Sequence, residues 1–507
     1  MSIYKFFKTF SFFAFYLSLI NFNACIAMED KEDDRIPRVK VTIVGGGLAG
    51  LTAARALEGR ENYALFEAKP TLGGRTYSEN IEGAAFNMGG EWIDPEHTSM
   101  QKLAEEVGVP LQKETYTSPI RMRLEGKDFS PEGNIALLES ILSKITPVIK
   151  AFESKCFYSQ SNLEQILPEA LTPAEKSFIH TYLRADEGLS PSMLDASAIY
   201  GLRNDLKELK TLLGYKESFL LPARLRNLIA YQYRVVSGMT RMIDAIKDRL
   251  DPKKIYPKYE LKRISKGVDG EFHLSFNHEG EPHKVIAKAV IMTIPFSVLR
   301  FLDLDESLGL SELQKRAIQT LPYGSNAKVQ VRGVTRPNFR YYLHGETQTT
   351  SWLPVSGPGF TIYTGGEKGL TLSEETAAPL VSSVLRDLGL PEVMSATGGS
   401  SSSSFSSASA AAASPPFIVK NWSQDPFAKG SYSANGICDF GLRMPSNLSG
   451  FKEFREFAEP VGGFIFAGEH TQLDCGYMES AVRSGETAAQ YYLHKLSAQS
   501  PEVHPTK

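Results

Sequence analysis

Residues Val39 to Arg75 read VKVTIVGGGLAGLTAARALEGRENYALFEAKPTLGGR. Val39, Val41, Ile43 and Val44 make a short apolar strand. Gly45, Gly47 and Gly50 then supply G-x-G-x-x-G, with Leu48 and Ala49 between them, and Leu51 to Leu57 continues as an Ala/Leu-rich helix. Tyr63 to Phe66 is a second strand that ends in Glu67, with Ala68 following. This order predicts a dinucleotide site. Glycines permit a tight turn and close backbone approach, and the N–H groups of the first helical turn face a pyrophosphate. Glu67 stands where a carboxylate accepts hydrogen bonds from a ribose, which favours FAD or NAD over NADP. A lone G-x-G-x-x-G also fits a glycine-rich turn in another α/β protein; strand, glycines, helix, strand and acid in this order are far more specific.

Further glycines beside an arginine follow in Thr71-Leu72-Gly73-Gly74-Arg75-Thr76, and Met88-Gly89-Gly90-Glu91-Trp92 comes soon after. Such segments suit a second set of contacts to a long, bent cofactor. This region resembles the flavin-containing amine oxidases, which include monoamine and polyamine oxidases. The resemblance runs from Val39 to Leu493, strongest at both ends and weakest around 130–230. It is the reason to choose FAD. It implies an α/β fold with a Rossmann-like FAD-binding domain assembled from separate segments, 37–115, 231–300 and 417–495. Residues 116–230 and 301–397 would form a mixed α+β substrate domain with a helical insertion. Gly74, Arg75, Gly89, Gly90, Glu91 and Trp92 are implied cofactor contacts, and a backbone contact to adenine is implied near Leu261. Gly468-Glu469 and Gly476-Tyr477-Met478 complete the set, the latter opening a C-terminal helix whose positive end approaches the flavin ring.

The pattern of apolar residues gives the intervening elements. Helical spacing predicts Thr98 to Val107, Ile135 to Ile149, Pro173 to Ala185, Ala198 to Leu213 and Met242 to Leu250. Residues 120–129 read as a polar hairpin, and strands are expected at Ile255 to Ser265, Glu271 to Asn277 and Lys284 to Pro295. A further sheet is expected from strands around Lys328 to Val334, Phe339 to His344, Ser351 to Val355 and Phe360 to Gly365. Gly398 to Pro416 is almost wholly Ser, Ala, Gly and Pro, the composition of a flexible surface loop.

Composition narrows the function classes. The chain has 507 residues and formal charge -3, enough for a large core and more than one domain, with no basic excess to suggest nucleic acid. Four cysteines show no C-x-x-C or zinc spacing, nine histidines are scattered, and no metal site is expected. Lys5 and Lys8 precede the apolar run Phe10 to Ile20, with small residues at Cys25 and Ala27. That is the form of a secretory signal peptide over 1–27, implying export to a periplasm or the exterior. A retained membrane anchor is the weaker reading, because the run is short. Asn421-Trp422-Ser423 and Asn447-Leu448-Ser449 match glycosylation sequons.

Amine oxidation needs little acid–base equipment, because the flavin takes the hydride and the protein positions a neutral amine. Family members place a lysine at the position of Lys328, bonded through water to flavin N5. A buried amine there has reason to shed its proton. Taken alone, a lysine on a strand is usually solvated. Tyr432 and Tyr477 match tyrosines that flank the amine path in monoamine oxidases, although an aromatic in an apolar strand more often packs in a core. Ser431 stands where mammalian-type monoamine oxidases carry the flavin-linked cysteine, so the FAD is expected to be non-covalent. L-amino-acid oxidases place an arginine soon after the double glycine. Here Glu91-Trp92-Ile93-Asp94 follows instead, so primary monoamines rank first, polyamines second and amino acids third. Asp94 matches a position where some polyamine oxidases hold a distal amine, and His97 reads as a surface or capping residue. Oxygen is the expected acceptor, the products being aldehyde, ammonia and hydrogen peroxide. A homodimer stays open, as do a flavin desaturase and a flavin-binding protein without catalysis.

Overall fold

A strand covered on both faces appears in sequence as a continuous apolar run. Tyr63–Glu67 is buried at every position, and Arg38–Val44 from Val41 onward. The two pair in parallel, Val41 against Tyr63 and Val44 against Phe66. Glu281–Met292 lies parallel on the other side of Arg38–Val44, placing Ile43 opposite Ile291. Phe464–Phe466 adds to its far end and Ile255–Pro257 to the other edge, both parallel. The centre of this eight-stranded sheet is therefore built from distant parts of the chain, with antiparallel Tyr259–Lys266 and Phe272–His278 extending it. In this computed structural model residues 36–81, 83–115, 120–154, 161–215, 231–391, 417–434, 436, 457–472 and 474–496 are described. The expected signal peptide, the Ser/Ala-rich segment 398–416, the Asn447 sequon and Cys25, Cys156 and Cys438 lie outside the described residues. Among the described residues no helix is long and apolar enough to cross a membrane.

Leu48–Leu57 and the C-terminal helix Met478–Tyr491 pack together on one face of the sheet, sharing a core with Thr98–Val107 and Thr240–Lys247. Their contact is backbone to backbone. A Cβ on Gly485 would lie 2.2 Å from the Ala49 carbonyl oxygen, and one on Gly50 would lie 1.9 Å from that of Gly45. Glycine is thus required for the first and last helices to meet at the mouth of the cofactor cleft.

The second sheet has seven strands, in the order Phe417–Asn421, Ala327–Val331, Phe360–Thr364, Thr349–Trp352, Tyr341–His344, Ile120–Leu124 and Lys127–Asp128. Ala327–Val331 is buried at every position between two antiparallel neighbours. Pro131–Ser154, Pro173–Asp186 and Ala198–Tyr215 pack on the Ile120–Leu124 end and form a separate core. Asn421 is buried, its amide donating to the carbonyls of Gly369, Leu370 and Leu372. The folded chain therefore does not present this sequon to a glycosylating enzyme.

Two strand and helix boundaries and one small sheet depart most from the sequence expectation. Lys258 adopts a left-handed φ of 67°, so the strand expected from Ile255 to Ser265 is two strands on opposite sides of the sheet. Gly238, with φ 84°, resets the chain early, so the helix expected from Met242 to Leu250 spans Thr240–Lys247. A small sheet of Leu111–Thr115 and Tyr231–Val235 was not anticipated; charged and polar residues interrupt its apolar signal. Gly485→Ala should lower the melting temperature of both apo- and holoprotein by several degrees, since overpacking a close contact costs about 1–3 kcal/mol. Differential scanning calorimetry checks this, and an unchanged transition would place the helix contact elsewhere.

Candidate active site

Gly47 is the N-cap of Leu48–Leu57, whose first turn carries no acidic residue and no side-chain cap. Its N–H groups are thus left for a ligand. A Cβ on Gly47 would meet nothing closer than 4.0 Å, so the turn is open on the side of the cavity. The Glu67 carboxylate accepts from the Gly46 N–H at 2.6 Å and the Lys69 N–H at 2.8 Å, which fixes it at the cavity wall. Burial raises its pKa, opposed by those N–H groups and by Lys69. Ala68, Gly74 and Leu261 line the same wall. A positive helix end, an open glycine turn and a fixed carboxylate fit a dinucleotide whose pyrophosphate and ribose they would hold.

Glu469 joins three parts of the chain. It accepts from Arg75 Nη1 at 2.8 Å, from the Ser433 hydroxyl at 2.6 Å and N–H at 3.1 Å, and from the Gly476 N–H at 2.8 Å. Burial alone would raise its pKa, but Arg75 and these donors overrule it and hold the carboxyl below its usual range. Arg75 also donates to the Ser431 carbonyl at 2.8 Å. The Ser431 hydroxyl turns the other way and donates to Asn326 Oδ1 at 2.6 Å. Gly468 lines the cavity beside Glu469, and Gly90 lies against Met478, whose Sδ would be 2.7 Å from an added Cβ.

Lys328 is 4% exposed. Its Nζ donates to the carbonyls of Asn87 and Gly89 at 2.9 and 2.8 Å and to Glu91 Oε2 at 3.1 Å. Burial lowers its pKa, and Glu91 opposes the shift. Glu91 also accepts from Arg234 Nη1 and Trp352 Nε1, each at 3.0 Å. Burial would raise the Glu91 pKa, yet Lys328 and Arg234 hold it below the usual range. The carboxylate assigned to the cofactor from sequence thus spends its hydrogen bonds on Lys328, Arg234 and Trp352. Trp92 lies beside it with the Arg234 guanidinium 4.4 Å from its ring.

A single cavity of about 760 Å³ takes in the cradle, Lys328, Tyr363, Tyr432 and Tyr477. The Tyr432 hydroxyl donates to the Asp186 carbonyl at 2.7 Å, and Gly476 packs against its ring. Tyr477 is 48% exposed and its ring lies 5.0 Å from that of His97. His97 is buried rather than a surface residue, its Nδ1 accepting from the Asp94 N–H at 2.9 Å. Asp94, Asp186 and Glu187 line the cavity, and all three are close enough to act on Tyr477 electrostatically. Asp186 opens into the cavity but is surrounded by protein, and burial, with the neighbouring Asp94, raises its pKa to about 6. Asp186, Arg234, Trp352 and Tyr363 were not singled out by sequence reasoning. One signal was present: of three tryptophans, Trp92 and Trp422 line the cavity and Trp352 lies within 5.2 Å of Lys328 Nζ. No cluster of His, Cys, Asp or Glu able to hold a metal occurs among the described residues.

The model of the family described as flavin containing amine oxidoreductase matches residues 48–493. The chain belongs to that family; it is a flavoprotein oxidoreductase acting on amines, and its cofactor is FAD. An L-amino-acid oxidase of Siganus canaliculatus is 24% identical over 92% of this chain and 90% of its own length. A putrescine oxidase of Kocuria rosea is 33% identical over 21% of this chain and 26% of its own. Among solved structures, putrescine oxidase bound to putrescine covers 90% of this chain and 99% of its own, with TM-score 0.67 and 17% identity. Cyclohexylamine oxidase from Brevibacterium oxydans gives TM-score 0.63 at 18% identity, covering 91% and 100%. Lys328→Met should retain FAD yet lower turnover by roughly 100-fold, the scale of a lost preorganised electrostatic contact. Flavin content and steady-state peroxide release measure the two separately; wild-type turnover would remove Lys328 from the chemistry.

Proposed function

We propose that this protein oxidises a primary amine whose far end is neutral or cationic, with oxygen as acceptor. The observation that carries the reading is the make-up of the cavity beyond the cradle: Lys328, the tyrosines Tyr363, Tyr432 and Tyr477, and the carboxylates Asp94 and Asp186. When bound, FAD supplies the two-electron acceptor for the C–H bond next to the amine. The tyrosine rings give an aromatic surface on which an amine nitrogen is steered and bulk water displaced. The resulting imine takes up water, giving aldehyde and ammonia, while oxygen leaves as hydrogen peroxide. Arg75, the one arginine lining the cavity among the described residues, is committed to Glu469 and the Ser431 carbonyl. That leaves a substrate carboxylate poorly served, which argues against an L-amino acid despite the whole-length relatives.

A second reading follows from Asp186. Asp186 lines the cavity with Asp94 close by, and this favours a diamine over a monoamine because a distal ammonium offsets both the burial and the like-charge repulsion that raise the Asp186 pKa. The charged form binds the cation, so affinity for a diamine should fall as pH drops through about 6. Anaerobic mixing of holoenzyme with phenethylamine, tyramine, putrescine, spermidine and several L-amino acids ranks the classes by flavin bleaching. Bleaching by amino acids alone would sink the proposal. Asp186→Asn should raise the KM for putrescine roughly tenfold and leave that for phenethylamine within twofold, the worth of one partly screened charge contact. Acid precipitation should release the yellow colour to the supernatant, since Ser431 offers no thioether; colour retained in the pellet would overturn the non-covalent assignment.

A further inference from the structure

A charged lysine carries three N–H donors and no acceptor, whereas a neutral amine carries two donors and a lone pair. Lys328 Nζ faces three oxygens within hydrogen-bond distance: Asn87 O at 2.9 Å, Gly89 O at 2.8 Å and Glu91 Oε2 at 3.1 Å. A neutral amine would have to aim its lone pair at one of them. Only the ammonium satisfies the set. We propose that Lys328 is held as an ammonium throughout turnover and that Glu91 is the positioning residue that keeps it charged, so that the cavity wall presents a fixed positive charge rather than a titrating base. This deepens the amine-oxidase reading and rests on it for the place of Lys328 at the reacting end of the cavity. It also revises the expectation that burial strips the proton from this lysine.

The surroundings support a fixed charge. Glu91 binds Arg234 as well as Lys328, Arg234 reaches Glu114 at 3.1 Å, and Glu114 reaches Arg340 at 2.7 Å. Five buried or nearly buried charges therefore alternate in sign from Lys328 to Arg340. They come from the Ala327–Val331 strand, the loop after Asn87, the Tyr231–Val235 and Leu111–Thr115 strands and the start of Tyr341–His344. The remaining neighbours of Lys328 favour a cation or are neutral. The Trp352 and Tyr363 rings lie 5.2 and 5.8 Å from Nζ, and Gln330 from the same strand donates to Asn87 O. Lys420, opposite Lys328 in the sheet, is turned to Asp425 at 2.6 Å. Arg234 is the cation that opposes Lys328, and Glu91 lies between the two. Replacing Glu91 with glutamine would leave one amide oxygen to serve three donors and remove the negative charge between Lys328 and Arg234, so the Lys328 proton would become labile.

The test follows the Lys328 side chain itself. Holoenzyme labelled with 13Cε-lysine is titrated between about pH 6 and pH 10 by NMR, the Lys328 signal being assigned by its loss in Lys328→Met. The wild-type signal should stay at the ammonium position through the pH range of turnover, and Glu91→Gln should lower the midpoint by about 2 pH units, the scale of one buried charge partner. Flavin reduction in Glu91→Gln should acquire an ionisation at that same midpoint, absent from the Glu91→Gln/Lys328→Met double variant. Glu91→Asp, which keeps the charge, should restore the wild-type profile. A neutral amine in the wild type at pH 8, an unmoved midpoint in Glu91→Gln, or an Asp variant that behaves like the Gln variant would each overturn the proposal. Should Glu91→Gln fail to fold, the wild-type titration decides by itself. If Lys328 proves to be an ammonium but no amine bleaches the wild-type flavin, the charge assignment stands and the amine-oxidase reading falls.

Discussion

The Glu91 carboxylate accepts hydrogen bonds from Lys328, Arg234 and Trp352, groups that come from three separate regions of the chain. Buried carboxylates survive only when paired, and removing one partner of such a pair costs about 3–5 kcal/mol. The constraint therefore fixes more than one side chain. It sets the Ala327–Val331 strand of the second sheet against the Gly89-Gly90 loop that belongs to the cofactor end of the cavity. Glu469 does the same work on the other flank, joining Arg75, Ser433 and Gly476. Two buried acids, each overruled by cations or donors, thus hold the walls of one cavity in register.

Between those flanks it is backbone, not side chain, that would hold the cofactor's pyrophosphate. The cradle is the turn Gly45-Gly46-Gly47 and the positive end of Leu48–Leu57, and Gly485 lets the C-terminal helix come close enough to close it. Charge is distributed with a purpose across the cavity. The cradle carries a helix N-terminus suited to a pyrophosphate, whereas Asp94, Asp186 and Glu187, which act together on Tyr477, suit a cation. A substrate amine is drawn toward carboxylates, while Lys328, already saturated by three acceptors, offers it no hydrogen-bond acceptor of its own.

The local features were legible because they depend on neighbours in sequence. The first strand, the glycine turn, the following helix and Glu67 fall within thirty residues, and their order alone implies the site. The helices from 131 to 215 and the strands of the second sheet follow from periodicity. What escaped was either a single backbone conformation or a long-range pairing. Lys258 breaks a strand through one left-handed residue, and Tyr231–Val235 pairs with Leu111–Thr115 across more than a hundred residues, with Arg234 hidden inside it. An arginine in an alternating strand gives no sign in sequence that it is 1% exposed.

Sequence alone determined the dinucleotide site, because the backbone of the G-x-G-x-x-G turn and the carboxylate of its acid lie within one short stretch; the choice of a flavin came from the family resemblance carried by the later glycine segments. Tertiary structure decided the environment of each candidate side chain. It bound the Glu91 side chain to Lys328, Arg234 and Trp352, gathered Asp94 and Asp186 beside Tyr477, and buried His97. The physical reason is that hydrogen-bond saturation and desolvation depend on what surrounds an atom, and here the surroundings come from strands more than two hundred residues apart.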